Sequence, residues 1–483
     1  MIVGELRHGQ LTIIDRLRET VRLSEGLQDG GKLTEPAKAR ALDCLGRFGE
    51  RLRDMHASSV RTAGTSTLRR ARDSNAFRRL AEKALGHPIE VISGIEEARL
   101  IYIGVLHSMP RNDGIRLVMD IGGGSTELIL GQGETPKALE SLNMGCVVMT
   151  EKYFPGGTIS QKNFGAARLA ARLKLRPVKA FFRNATDIEA IGTSGTILAT
   201  EAVARGLGII ETNDMTPAAL EELIRRVCDY GNTSELTLPG LAERRAQVWP
   251  GGLAILVELM GVLRIGHLKV SDGALREGLL YDLLGRLQHE DARDRSVAAL
   301  ARRYNVDDAQ ATRVRTTARM LLGQVAEAWQ LESELAADML SWSALLHEIG
   351  LDISHSGFQK HGAYIAANAD LPGFPRAEQM LLAYLIANQR SSFEASRLKT
   401  VPSAWRKRAQ ALAVILRLAV LLNRSRSSTT MPAIGVTATR KRISLAFPAG
   451  WLEDNPLTIA DLERERGLLA AIGYGLEFAG DEA

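Results

Sequence analysis

The first hundred residues alternate between two hydrophobic periods. IVGEL (2–6) and LTIIDRL (11–17) change face every second residue and predict a hairpin, whereas PAKARALDCLGRFGERLRDM (36–55) has apolar positions at helical spacing and SSVRTAG (58–64) returns to strand. The alternation recurs in RLVMDIGGGSTELIL (116–130), ALESLNMGCVVMT (138–150), IEAIGTSGTI (188–197) and HLKVSDGALREGLLYDLLGRL (267–287). Beyond about residue 288 only the helical period continues, through SVAALARRYNV, ATRVRTTARMLLGQVAEAW, ELAADMLSWSALLHEIG and AEQMLLAYLIANQ. A closing stretch, IGVTATRKRISLAFPAGW followed by DLERERGLLAAIGYGLEF, reads as strand, turn, strand and one helix. The expected layout is therefore two α/β domains, 1–103 and 104–287, an all-α domain, 288–428, and a small α+β domain, 429–483.

At 483 residues the chain is too long for one core, which agrees with several domains. With 45% hydrophobic and 24% charged residues its composition is that of a globular protein, and three cysteines are too few for a disulfide framework. The opening MIVGELRHGQ lacks the apolar core of a signal peptide, and the greasiest run, ALAVILRLAVLL (411–422), is short and carries Arg417. A cytoplasmic protein is expected. The net charge of +5 is uneven, because residues 390–442 contain twelve Arg and Lys against one Glu. Such a block suggests a polyanion footprint, and it allows peripheral attachment to a membrane surface. Only Phe393 and Trp405 supply aromatic faces there, too few for a nucleic-acid platform.

Four loops carry candidate chemistry. DIGGGSTEL places three glycines between two strands, so neither a P-loop nor a dinucleotide fingerprint fits. The amides of Gly122, Gly123 and Gly124 and the hydroxyls around Ser125 suit a phosphate, and Asp120 is positioned to hold a hydrated Mg²⁺. GTSGT opens a helix and offers Ser194, Gly195 and Thr196 to an anion, GTSTLR puts Arg69 in a first helical turn, and VSDGALREG puts Arg276 near a helix start, either as a phosphate ligand or as an ordinary surface arginine. In SGIEEARL, Ser93 and Glu96 form a capping box, which leaves Glu97 without a structural task at a site suited to a general base.

Taken in order, SGIEEARLIY, DIGGGSTEL, FPGG, GTSGT, LPGL and SDGALREG resemble the exopolyphosphatase and guanosine pentaphosphate phosphohydrolase family of the actin and hexokinase superfamily. The resemblance implies two ribonuclease-H-like domains, a helical HD-like domain and removal of a terminal phosphate. It implies Glu97 as catalytic base, Asp120 and Glu127 as Mg²⁺-associated carboxylates, Gly122 to Ser125 as the phosphate loop and Arg69 as a cleft arginine. The long build favours exopolyphosphatase action on inorganic polyphosphate, with guanosine pentaphosphate as the alternative substrate, and implies a homodimer. The family's Asp-x-Gly-Ser-Asn-Ser loop does not precede MIVGEL, so either Met1 is an internal methionine taken as a start or the chain is a truncation, and the second case leaves an inactive polyphosphate-binding protein as a further reading. His347, Glu348, His355 and His361 are spaced like an HD-type metal centre, but Glu348 stands where that motif has Asp, so a structural or anion-binding role is expected.

Overall fold

The computed structural model describes the chain apart from residues 8–9, 28–30, 111, 113, 184–187, 213, 288–290, 428–430 and 481–483. It contains two compact units, Met1–Asp291 and Ala292–Ala483.

In the first unit, β1 (Ile2–Arg7) and β2 (Gln10–Arg16) form the expected antiparallel hairpin. Helix Glu35–Leu52 follows, started by proline in its first turn, where a missing N–H costs nothing. The segment read as a strand at 58–64 pairs only at its end: β3 (Ala63–Gly64) lies parallel to β4 (Glu90–Val91), and residues Ala57–Ser59 are a 3₁₀ turn. Helix Gly94–Ser108 is capped by the Ser93 hydroxyl, which accepts from the Glu96 amide at 3.1 Å. The Glu96 carboxylate is gripped by Arg99 in a fork at 2.8 Å through each of two nitrogens.

A five-stranded sheet follows. It comprises β5 (Ile115–Ile121), β6 (Thr126–Gln132), β7 (Thr135–Leu142), β8 (Ile188–Thr193) and β9 (Lys269–Val270), in the order β7-β6-β5-β8-β9. The first three run antiparallel, and β8 and β9 join parallel. Both faces are buried, and the period of two sorts the side chains. Leu117, Met119, Ile121, Leu128 and Leu130 enter the larger core beneath helices such as Trp249–Leu263. Val118 and Ile129 face the other way, onto Ala98, Ile101, Tyr102 and Val105 of helix Gly94–Ser108. By the same alternation Asp120 and Glu127 belong to that second face.

In the second unit, helices including Asp308–Trp329, Arg376–Asn388 and Arg406–Leu422 share one continuous core with β10 (Gly435–Thr439), β11 (Arg442–Phe447) and helix Pro456–Ala470. A third strand, β12 (Gly475–Gly480), pairs parallel to β11 beyond the single closing helix that was expected. Among the described residues no helix is long and apolar enough to cross a membrane.

Candidate active site

The β5–β6 register decides the centre of the site. Ile121 pairs with Thr126 across a four-residue loop, so Asp120 lies directly opposite Glu127. Like charges facing each other across a ladder are destabilising, and a fold tolerates them only where something else compensates. Both are buried, at 7% and 1% exposure. Glu97, one turn into helix Gly94–Ser108, is close enough to add its own repulsion to both. Burial, reinforced by Glu97, raises the Asp120 carboxyl to about 7. For Glu127 burial again dominates, followed by Glu97 and Asp120, and the carboxyl lies well above its ordinary value, although Ser141 Oγ donates to it at 2.8 Å. Glu97 is also raised by burial, but Arg69 opposes the shift by donating to it at 2.9 Å. The same Arg69 nitrogen donates to the Ile92 carbonyl, which fixes its direction.

The triple-glycine loop stands at the end of this acid row. The Gly122 amide is spent on the Ser125 carbonyl at 2.9 Å, but the amides of Gly123, Gly124 and Ser125 have no hydrogen-bond partner among the described residues. None of the three glycines has positive φ, so the loop does not form the alternating right- and left-handed backbone of an anion nest. Close approach accounts for Gly124, where a Cβ would sit 2.9 Å from Ser66 Oγ, and for the neighbouring Gly145, where one would meet the Gly123 carbonyl at 2.4 Å, but at Gly123 a Cβ would meet nothing nearer than 3.4 Å. The Gly122 and Gly123 carbonyls accept from the Cys146 and Val147 amides at 2.8 and 3.0 Å, so helix Cys146–Tyr153 anchors the loop from behind.

Ser194 begins helix Ser194–Gly206 with φ of 79°, a left-handed value that strains a residue with a side chain. Its hydroxyl is held on Ile121, donating to the carbonyl at 3.0 Å, and it also reaches Asp120. Gly195 is pressed against Arg245, whose guanidinium would lie 2.2 Å from any Cβ there. Thr196 departs from expectation. It is buried, with its hydroxyl on the Cys146 thiol, and it serves packing because the helix turns it inward. Arg276 is the second residue of helix Leu275–Leu287, and among the described residues it makes no hydrogen bond or ion pair with the three carboxylates. Burial and the nearby Arg18 and Arg16 lower its affinity for a proton, and burial followed by Arg244 and Arg18 does the same to Arg245.

Arginines thus crowd one side. A cavity of about 210 Å³ beside Gly123 is walled by Arg22, Arg244 and Arg245 and by Glu25, which pairs with Arg22 at 3.4 Å; Arg22 also donates to the Gln247 side chain and the Arg244 carbonyl at 3.0 and 2.9 Å. Sequence reasoning missed Arg245, Arg22 and Ser141. Arg245 occurs in an ordinary ERRA run, and Ser141 becomes visible only from the β6–β7 register, which sets it opposite Glu127.

Asp120 and Glu127 make no ion pair among the described residues, and oxygen donors of this kind suit a hard divalent cation. Among the described residues no group of three or more His, Cys, Asp and Glu side chains is placed to hold a metal, so any such ion would draw its other ligands from water and substrate.

Residues 2–287 match the model of the Ppx/GppA phosphatase family and residues 292–466 match its domain III. The chain belongs to the Ppx/GppA phosphatase family. A guanosine-5′-triphosphate,3′-diphosphate pyrophosphatase of Aeromonas hydrophila is 39% identical over 465 residues, covering 96% of this chain and 93% of that protein. Two solved structures share the fold. An exopolyphosphatase from Cytophaga hutchinsonii has a TM-score of 0.53 at 23% identity, covering 59% of this chain and 93% of its own. The Aquifex aeolicus Ppx/GppA member has a TM-score of 0.50 at 22% identity, covering 60% and 94%. Hydrolysis of a phosphoanhydride is the chemistry of Ppx/GppA members.

Proposed function

We propose that this chain hydrolyses the 5′-terminal phosphate of guanosine pentaphosphate. The observation that carries this reading is the 39% identity, nearly end to end, to a relative named for that nucleotide. The arginine wall beside Gly123 supports it, since a nucleotide with phosphates at both ends needs cations beyond the point of cleavage. In the sequence the long build favours polyphosphate, and the basic block at 390–442 offers a track for it. In the folded unit Arg417, Arg424, Arg426 and Arg442 are each engaged by a carboxylate, and Arg406 and Arg408 donate to backbone carbonyls. Those pairs neutralise part of the block, which weakens its case as a polymer track.

In this mechanism Glu97 accepts the proton of the attacking water, with Arg69 holding its carboxylate in place. The free amides of Gly123, Gly124 and Ser125 donate to the phosphoryl oxygens, where preorganised donors lower the barrier most. Asp120 and Glu127 would hold Mg²⁺, which when bound supplies charge neutralisation for the departing phosphate oxygens.

The test is phosphate release from guanosine pentaphosphate and from long-chain polyphosphate at one Mg²⁺ concentration. A kcat/KM at least about tenfold higher for the nucleotide is expected. A preference for the polymer overturns the assignment.

A further inference from the structure

The Ala292–Ala483 unit encloses a cavity of about 320 Å³ that the hydrolytic reading does not use. Five arginines line it against three carboxylates, Glu348, Asp461 and Glu465. All three acids are committed. Glu465 pairs with the buried Arg417, Asp461 with Arg424 at 2.6 Å, and Glu348 with Arg426. Arg390 and Arg464 remain, and neither makes an ion pair among the described residues. The Arg390 guanidinium lies 4.8 Å over the Phe358 ring, which steadies its direction without neutralising it. Burial, and after it the nearby Arg424 and Arg464, lower its affinity for a proton.

The floor has the opposite need. Gln389 is 1% exposed, and its Nε2 donates to the His347 carbonyl, but its Oε1 has no partner among the described residues. A buried acceptor left alone costs free energy unless a donor arrives. His347, equally buried, is kept neutral by its burial and has Nδ1 on the Ala344 carbonyl at 2.7 Å, which leaves Nε2 as a second acceptor. Glu348 is held by Arg426, so the HD-like cluster does not offer it to a metal.

Rim and floor together define the guest: an anionic group at one end and hydrogen-bond donors at the other, in a volume at the lower end of small-molecule sites. We propose that this cavity binds a small phosphate monoester of nucleotide size. Arg390 and Arg464 take the phosphate, and Gln389 Oε1 and His347 Nε2 accept from amino or hydroxyl groups of its body. Free orthophosphate shares the anionic half and would satisfy only the rim.

Equilibrium dialysis of the full chain against adenosine 5′-monophosphate, and separately against inorganic phosphate, tests this. With Arg390→Gln and Arg464→Gln combined, one class of binding site is expected to weaken at least about tenfold for both probes, while hydrolysis without added ligand stays unchanged. Gln389→Leu is expected to weaken the nucleotide by about tenfold and leave phosphate untouched. Because the two arginine changes lie toward the surface, they keep the test valid should Gln389→Leu fold poorly, and melting curves check each variant. Binding unaffected by the arginine pair overturns the proposal. A Gln389→Leu variant that melts normally and binds both probes as before leaves orthophosphate as the guest and overturns the monoester assignment.

Discussion

Asp120 carries a charge problem that its neighbours make worse. Its carboxyl sits at about 7 against an ordinary 3.8, so the folded chain holds that proton more tightly than the unfolded one. The stability tied to the protonated form is complete below about pH 4 and is lost as pH rises through 7, a difference on the order of 4 kcal/mol. Asp120→Asn should therefore raise Tm by several degrees at pH 8 and hardly at all at pH 4. Equal shifts at both pH values, read by scanning fluorimetry, would rule out ionisation as the source. Mg²⁺ should stabilise the parent chain at pH 8 and do less for Asp120→Asn. Glu97→Gln removes the proposed base and should cut kcat by roughly a hundredfold while leaving nucleotide binding intact. Unchanged turnover would remove Glu97 from the mechanism. Glu97 was legible from its position beside Glu96 at a helix start, whereas Arg245 was not, because nothing local marks one arginine in ERRA as the partner of Gly195.

The helix that bears Glu97 is set by glycine. Gly104 lies against the Ala274 carbonyl and Gly278 against the Leu100 carbonyl, where added Cβ atoms would come within 2.1 and 1.7 Å. Two helices that touch backbone to backbone fix each other's height, and Leu100 is less than one turn from Glu97. Gly278→Ala must push them apart. It should cost about 1–3 kcal/mol in urea unfolding and lower kcat along with stability. Gly261→Ala, with nothing within 4 Å of its Cβ in helix Trp249–Leu263, should leave kcat alone and stabilise by up to about 1 kcal/mol. The strands were readable because burial on alternate faces writes itself as period two. The strand read at 58–64 was too long, since only Ala63–Gly64 find a partner.

The two units have separate cores, with none of the second unit's buried cluster drawn from residues before 292. Residues 292–483 expressed alone should fold cooperatively, as read by circular dichroism melting, and a fragment without a sigmoidal transition would show that its core is insufficient. The division after residue 291 falls where the strand period stops, so it was visible in the pattern, whereas the sharing of one core by the last strands and the helices was not. Local order along the chain specified the alternation of the sheet faces, the four-residue turn opposing Asp120 to Glu127, and the cap that starts the Glu97 helix. These follow from backbone periods and turn geometry, which act over a few residues. What charge does here depended on folding. Arg417, Arg424 and Arg426 look like part of a free basic block until Glu465, Asp461, Asp307 and Glu348 arrive from elsewhere in the chain. Neutralisation and desolvation act through space, and no nearest-neighbour pattern in the sequence records them.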